Sequence, residues 1–260
     1  MSLTQSARRI LETPSPATKA ILSHETAAAW RSGDITGVGE AGALDRPARP
    51  DRPLLLHPAE MPRRRGASGR IALLHAIAHI ELNAIDLAWD MIARFASSGL
   101  PRAFYDDWIR VADEEAKHFG LLAKRLETLG AAYGDLPAHD GLWKAAQNTA
   151  HDVLARLAIA PLVLEARGLD VTPAMIIKLE RAGDTDSASI LRIILEDEVG
   201  HVAVGHTWFV HVAQERGLPP ADTFQALVRE HYQGQLKPPF NTESRDNAGF
   251  DAAWYEPLVS

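Results

Sequence analysis

The 260-residue sequence contains no cysteine. This absence excludes disulfides, thiolate metal ligands, iron–sulfur clusters and cysteine nucleophiles, so any metal must be held by histidine and carboxylate side chains. Such ligands favour hard or borderline metals, iron and manganese among them. An excess of positive charge is also lacking, since the net charge is −7. We therefore do not expect nucleic acid as a partner, because phosphate-backbone binding needs a basic surface.

Long apolar runs are missing as well. No uncharged run approaches the ~20 residues needed to cross a bilayer, and the amino terminus MSLTQSARRI lacks the apolar stretch of a signal peptide. Beyond residue 70, no segment alternates polar and apolar residues as a strand would. Hydrophobic residues make up 46% of the chain, enough to bury a sizeable core. The sequence therefore predicts an all-α cytoplasmic protein with no membrane partner.

Helical periodicity divides the chain into three predicted parts. Residues 1–69 are predicted to form an N-terminal helical arm, with helices over 3–12 and 16–31, and a long extended linker rich in proline and arginine. The linker's Arg63-Arg64-Arg65 run is interpreted as a solvated loop. Residues 70–235 are predicted to be a helical bundle, and residues 236–260 an extended C-terminal tail packed on the bundle or on a neighbouring subunit. The predicted bundle helices cover residues 70–97, 102–130, 141–167, 173–182, 186–216 and 220–234.

Four of these helices carry an apolar seam, formed by positions spaced alternately three and four residues apart, which face the core of a bundle. Each seam is interrupted by residues of the kind that bind metals. Two seams carry a single glutamate, and the other two carry a Glu-x-x-His pair, in which both side chains lie on one helix face. The six interrupting residues are Glu81, Glu115, His118, Glu165, Glu198 and His201.

The spacing along the chain predicts that these residues lie at one level. Glu81 and Glu115 are 34 residues apart, and Glu165 and Glu198 are 33 apart, with a helix break near the middle of each interval. Equal helical arms on either side of a break return two residues to the same height. The second half is less regular, because the segment from Gly168 to Pro173 is predicted to interrupt the helix soon after Glu165.

Four carboxylates buried in apolar seams would each cost several kcal/mol unless they were paired or bound to metal. Two divalent cations would supply four compensating positive charges. One Glu from each of two helices and a Glu-x-x-His pair from each of the other two is the ligand set of ferritin-like bundles. The pattern therefore predicts a site for two metal ions, with iron expected and manganese or a mixed Mn/Fe pair as alternatives. The competing interpretation is a bundle with polar core networks and no metal.

At these motifs the sequence resembles the ferritin-like di-iron carboxylate superfamily, and within it a branch of uncharacterised bacterial ferritin-like proteins. The bacterial tRNA-modifying di-iron hydroxylase is a more distant similar protein. The resemblance implies a ferritin-like antiparallel four-helix bundle with an N-terminal helical arm, extra short helices and an extended C-terminal tail. It is carried by Phe-Tyr-Asp-Asp-Trp at 104–108, Glu-Glu-Ala-Lys-His-Phe at 114–119, Leu-Glu-Ala-Arg-Gly-Leu-Asp-Val-Thr-Pro at 164–173 and Glu-Asp-Glu-Val-Gly-His at 196–201, together with His-Ala-Ile-Ala-His-Ile-Glu-Leu at 75–82.

Other polar residues near the seams have predicted roles of their own. In many relatives an acid just before the glutamate of a Glu-x-x-His pair accepts the free N–H of the opposite histidine and so orients its ring. Glu114 and Asp197 occupy that position, and the alternative is that they are surface acids. His75 and His79 are expected to be structural, because His79 lies on a different helix face from Glu81.

Two reduced metal ions can bind dioxygen or peroxide and pass it two electrons. We therefore expect an oxygen-activating oxidoreductase, a hydroxylase or oxidase that acts on an unknown small-molecule substrate. The alternatives are a ferroxidase or metal-sequestering ferritin-like protein without an organic substrate, and a non-catalytic helical bundle. No catalytic residue is predicted beyond the metal site, and a homodimer is an open alternative to a monomer.

Overall fold

The computed structural model describes residues 1–40, 42–57, 60–61, 66–232 and 234–259, and for residues 66–68 it describes the backbone only. The Arg63-Arg64-Arg65 run of the predicted linker lies outside these residues. Within the described ranges every regular element is a helix, and strand-type pairing is confined to two isolated bridges, between Leu55 and Ala138 and between Leu236 and Val259. The prediction of a helical fold is therefore confirmed for this part of the chain.

The chain divides into two compact units, Met1–Trp143 and Lys144–Ser260. The domain boundaries predicted after residues 69 and 235, and the specific ferritin-like arrangement, stay predictions. The helices are α1 (Leu3–Leu11), α2 (Pro16–Ser32), α3 (Gly66–Arg94), α4 (Arg102–Thr128), α5 (Gly141–Asn148), α6 (Val153–Ile159), α7 (Ala166–Arg181), α8 (Thr185–Glu215), α9 (Pro220–His231), α10 (Thr242–Asn247) and α11 (Ala252–Tyr255), with a π-helical segment at Ala160–Glu165 and a 3-10 turn at Glu256–Leu258.

In unit 1 the two helices of the N-terminal arm begin at strong capping residues. Ser2 accepts a hydrogen bond from the backbone N–H of Gln5, whose side chain in turn bonds to the backbone N–H of Ser2, so the two form a capping box. Ser15 caps α2, and Pro16 occupies its first helical position. The arm packs on the long helices, since α1 contacts α3 and α2 contacts α4. α3 and α4 also contact each other along their length, as their short connection predicts.

In unit 2 the predicted break between Gly168 and Pro173 is wrong, because α7 runs through both residues. A proline inside a helix leaves one carbonyl without its N–H partner. That carbonyl belongs to Leu169, and here it accepts a hydrogen bond from Nδ2 of Asn241, 3.1 Å away. The tail therefore supplies the bond that Pro173 removes, and the helix continues.

The irregularity lies earlier, in the π-helical segment that ends at Glu165. There the backbone N–H of Ala166 bonds to the carbonyl of Pro161, five residues back. Pro161 has no N–H and its ring crowds the preceding turn, and a local π-type turn is one way to relieve this conflict. The helix predicted over 141–167 is also interrupted at residues 149–152, where Asp152 caps α6.

The C-terminal residues were predicted to be extended, but they contain α10, α11 and the 3-10 turn. Asn241 and Asp251 start the two helices as capping residues, a local signal that the aperiodic apolar residues obscured. Arg245 of α10 forms a two-pronged contact with Asp170 of α7, at 2.9 and 2.8 Å, and its guanidinium lies 4.4 Å from the ring centre of Tyr255. The tail is thus fastened to its own unit by a buried ion pair.

Among the described helices, the Gly69–Arg94 part of α3 has the length and apolar composition of a membrane-spanning segment. However, 67% of its most apolar stretch is buried within the protein, as in the core helix of a soluble protein. It also carries buried acids, including Glu81 and Asp86, which are costly in lipid. The absence of a membrane partner and the cytoplasmic location both stay predictions.

Candidate metal centre

Unit 1 brings three of the predicted ligands together. Glu81 lies on α3 and is 3% exposed, whereas Glu115 and His118 lie one turn apart on α4 and are fully buried. The Nδ1 atom of His118 is 3.2 Å from Oε2 of Glu81 and 3.5 Å from Oε2 of Glu115. One ligand atom from each residue lies within 4.8 Å of those of the others. The seam positions of the sequence therefore converge as the 34-residue spacing predicts.

The electrostatics of this group reflect its burial. Burial raises the pKa of Glu81 well above its usual value, and the nearby carboxylate of Glu115 raises it further, while contact with His118 acts in the opposite direction. Burial lowers the pKa of His118, but its hydrogen bonds with Glu115 and Glu81 outweigh this effect and raise the pKa to about 11. Two carboxylates thus compete for one imidazole, and the group favours any added positive charge.

A metal ion fits this set of donors. Two carboxylates and one imidazole, all removed from water, are typical ligands of divalent iron, manganese and zinc. A divalent cation would replace the proton on the imidazole and neutralise both carboxylates, which relieves the cost of burying them. The buried Glu/His group can therefore hold a metal ion, although its donor set does not identify the metal.

Unit 2 carries the second Glu-x-x-His pair on α8. Glu198 is 9% exposed and His201 is fully buried, and Nδ1 of His201 lies 3.6 Å from Oε1 of Glu198. This pair has the same spacing as Glu115 and His118, and both pairs are buried. Each unit therefore presents one buried Glu-x-x-His pair.

Glu165 is half-buried at the last position of the π-helical segment, which packs on α8. The two elements approach closely at Pro161 and Gly205, where a Cβ atom on Gly205 would lie 2.4 Å from Cβ of Pro161. Glu165 follows Pro161 by four residues, and His201 precedes Gly205 by four residues. In a pair of antiparallel helices those steps reach the same level, so Glu165 and His201 lie at one height in unit 2. The role of Glu165 as a ligand stays a prediction.

The assembly of all six predicted ligands into one site stays a prediction. Glu114 is half-buried, and its carboxylate lies 3.4 Å from Nη1 of Arg110. Asp197 is half-buried on α8. Their predicted role in orienting the histidine rings also stays a prediction.

The predicted structural role of His75 and His79 agrees with their contacts. The Nε2 atom of His75 accepts a hydrogen bond from the backbone N–H of Gly134 at 2.9 Å. His79 contacts the hydroxyl of Tyr133 through Nδ1 at 2.8 Å and the carbonyl of His139 through Nε2 at 3.2 Å. Both rings therefore tie α3 to the segment that follows α4.

These histidines belong to a second polar stripe on α3 that the seam pattern did not predict, in which every side chain is buried. Its members are spaced three or four residues apart and are His75, His79, Asn83, Asp86 and Asp90. Lys19 of α2 and Arg49 of the linker both contact Asp86, and Arg94 contacts Asp90. Two aspartates within the long, largely apolar helix α3 were the signal that could have revealed this network.

Comparisons with known proteins place the chain in a family. A family model described as "Protein of unknown function (DUF455)" matches residues 12–256. A curated protein of Haemophilus influenzae, described as "Uncharacterized protein", is 46% identical over 210 residues, which cover 78% of this chain and 73% of that protein. No solved structure matches. Neither description mentions the ferritin-like superfamily, so that resemblance stays a prediction. Because the family model spans nearly the whole chain, the chain belongs to the DUF455 family.

Proposed function

We propose that this protein is a di-metal carboxylate protein that activates dioxygen or peroxide and oxidises a small organic molecule. One observation carries the proposal: Glu81, Glu115 and His118 are buried and offer ligand atoms within 4.8 Å of one another. A buried cluster of two acids and one imidazole is costly unless a cation occupies it. Metal binding accounts for the cluster with no further assumption.

The six residues predicted from the seams are the proposed ligands of two metal ions. Four carboxylates against two divalent cations would balance the charges. Iron is the metal that we propose, with manganese or a mixed pair as alternatives. When bound, two redox-active ions supply the transfer of two electrons to oxygen that no side chain performs alone.

The side chains would position the ions and keep water from them. Glu115 and His118 lie one helical turn apart on α4 and would approach a metal from one side, while Glu81 would approach it from α3. The buried seam around these residues excludes water, which strengthens the electrostatic interactions of the site. Glu114 and Asp197 are proposed to orient the histidine rings.

The proposal is tested first by metal content. Elemental analysis of the protein, purified without added metal and again after loading with Fe(II) under anaerobic conditions, should give about two ions per chain, as in ferritin-like bundles. Glu115→Gln and Glu198→Gln should each lose most of this metal. Glu127→Gln is the matched control, since Glu127 lies on α4 like Glu115 but its side chain is 61% exposed. A folded wild-type protein that takes up neither iron nor manganese would refute the proposal and favour a non-catalytic bundle.

Oxygen consumption then separates the two metal-binding functions. Addition of air to the Fe(II)-loaded protein should consume oxygen at a rate that Glu115→Gln abolishes and Glu127→Gln leaves unchanged. Uptake of many more than two irons per chain, together with a large shell of subunits by light scattering, would instead support the ferroxidase or sequestering alternative. A monomer or dimer that turns over with a reductant would support the oxidoreductase.

A further inference from the structure

A second candidate site lies in unit 1, on the other polar stripe of α3. A cavity of about 230 Å³ opens between α3, the linker and the segment after α4. Its polar lining comes from Arg49, Asp51, His79 and Tyr133, and its apolar lining includes Leu54. None of these residues is a proposed metal ligand. The cavity therefore calls for its own explanation.

The charges beneath the cavity do not balance. Lys19 and Asp86 are buried and form an ion pair, and Arg49 approaches the same carboxylate, with Nη1 2.7 Å from its Oδ2. Two cations thus share one anion. The neighbouring acid of the stripe, Asp90, is matched by its own partner, Arg94. Two basic side chains face one acid where charge is poorly solvated, and burial lowers the pKa of Lys19. An anion in the cavity would therefore stabilise the charged form of this group.

The guanidinium of Arg49 is held in place by its neighbours, but not all of its N–H donors are used. Its Nη2 donates to Oδ1 of Asn83 at 2.6 Å, and its Nη1 is buried against Asp86. A guanidinium has five N–H donors, and 18% of this side chain stays accessible. Arg49 is therefore a preorganised cation with donors left for a ligand.

Tyr133 adds a polar atom of defined direction. The carbonyl of His139 can only accept, so Nε2 of His79 donates to it. In the neutral ring, Nδ1 of His79 must then be the acceptor for the Tyr133 hydroxyl. The phenolic oxygen keeps its lone pairs, which can accept a hydrogen bond from a hydroxyl or amino group of a ligand.

We infer that this cavity binds a small organic oxyanion, a carboxylate or a phosphate monoester, that also carries a hydroxyl or amino group. The oxyanion would lie against Arg49 and the second group against Tyr133. The volume is below the usual range for drug-sized ligands, which favours a small molecule. Asp51 opposes an anion, but it is exposed, and its neighbour Arg52 is a cation that offsets it.

The test uses three small probes and the whole 260-residue chain. Isothermal titration calorimetry should show saturable one-to-one binding of glycerate, of glycerol 3-phosphate or of both. Glycerol itself, which has no charge, should not bind. If only one of the two anions binds, the result shows whether the cavity takes a carboxylate or a phosphate. Failure of both anions to bind, or equal binding of glycerol, would overturn the inference.

A variant places the binding in the cavity. Leu54 lines the cavity and is 61% exposed, so Leu54→Trp can fill the opening without disturbing the core. It should weaken the binding at least tenfold. Ile21→Trp is the control, since Ile21 is 56% exposed on α2 and does not line the cavity; its affinity should equal that of the wild type. If Leu54→Trp bound the anion as tightly as the wild type, the cavity would be refuted as the binding site. The metal content of Leu54→Trp should equal that of the wild type.

Discussion

The Nδ1 atom of His118 lies 3.2 Å from Oε2 of Glu81, and this contact joins α4 to α3 at a point closed to water. The pKa of His118 is raised to about 11, because its hydrogen bonds with Glu115 and Glu81 outweigh the effect of burial. At neutral pH the metal-free imidazole is therefore protonated. A metal can bind its nitrogen only after that proton leaves.

Metal affinity should consequently rise with pH throughout the neutral range. For each proton released on binding, the apparent association constant of the metal rises about tenfold per pH unit, as long as the pH is below the pKa of the group that loses the proton. Titrations with Mn(II) at several pH values, together with proton release in weak buffer, measure this effect. Glu127→Gln, on the exposed face of α4, should leave the slope unchanged. An affinity that does not depend on pH would contradict a role for His118 as a ligand.

The close contact between α8 and the π-helical segment leaves no room for a side chain at Gly205. An added Cβ would lie 2.4 Å from Cβ of Pro161, a distance that requires the two elements to shift. Gly205→Ala should therefore lower the free energy of unfolding by ~1–3 kcal/mol. Chemical denaturation followed by circular dichroism measures this loss.

Gly168→Ala is the matched control in the same unit. Gly168 lies within α7, and its added Cβ would meet no atom within 4 Å. Because alanine favours a helix over glycine, this variant should gain up to about 1 kcal/mol. If both variants changed stability in the same direction, the contact at Pro161 would not explain the glycine at position 205.

Periodicity was sufficient to predict the paired seams of α3 and α4. Their residues repeat regularly, and the short connection after α3 fixes the register, so Glu81 meets His118 as the spacing implied. Unit 2 was harder, because a glycine and a proline at 168 and 173 are strong local breakers. The bond that preserves the helix comes from Asn241, which is 72 residues away from Leu169 in the chain. No local pattern contains that information.

The second stripe of α3 was missed for a similar reason. Lys19 and Asp86 are 67 residues apart, and their pairing depends on how the N-terminal arm packs. A sequence pattern shows that Asp86 interrupts an apolar helix, but it does not show which cation meets it. The contacts of Asp86 with Lys19 and Arg49 could therefore be identified only from the structure.

The buried ion network should respond unequally to loss of its members. Asp86→Ala leaves two cations, Lys19 and Arg49, without their shared anion, and should cost ~3–5 kcal/mol. Lys19→Met leaves one cation against one anion and should cost less. Glu12→Ala, which breaks an exposed pair with Arg8, should cost under about 1 kcal/mol. Denaturant unfolding gives all three values, and a larger loss for Lys19→Met than for Asp86→Ala would contradict the charge imbalance.

The ion pair between Asp152 and Arg216 should make part of the stability depend on pH. Arg216 meets both carboxylate oxygens, at 2.6 and 3.0 Å. Burial alone would raise the pKa of Asp152, but the hydrogen bonds and charge of Arg216 lower it below its usual value. A lowered pKa in the folded state means that the stabilisation is complete above the unfolded pKa of about 3.9 and is lost as the pH falls through the folded value.

Arg216→Gln should therefore lower the free energy of unfolding at neutral pH and have little effect in acid. The side chains of Arg216 and Asp152 are 42% and 24% exposed, so water screens the pair and the loss should be at most about 1 kcal/mol. Urea unfolding at pH 7 and at a series of lower pH values, continued well below the unfolded pKa of about 3.9, measures both differences. Arg229→Gln removes an exposed charge of the same unit and should show no such change with pH. A loss for Arg216→Gln that is equal at both pH values would mean that packing, rather than the ionised carboxylate of Asp152, accounts for the stabilisation.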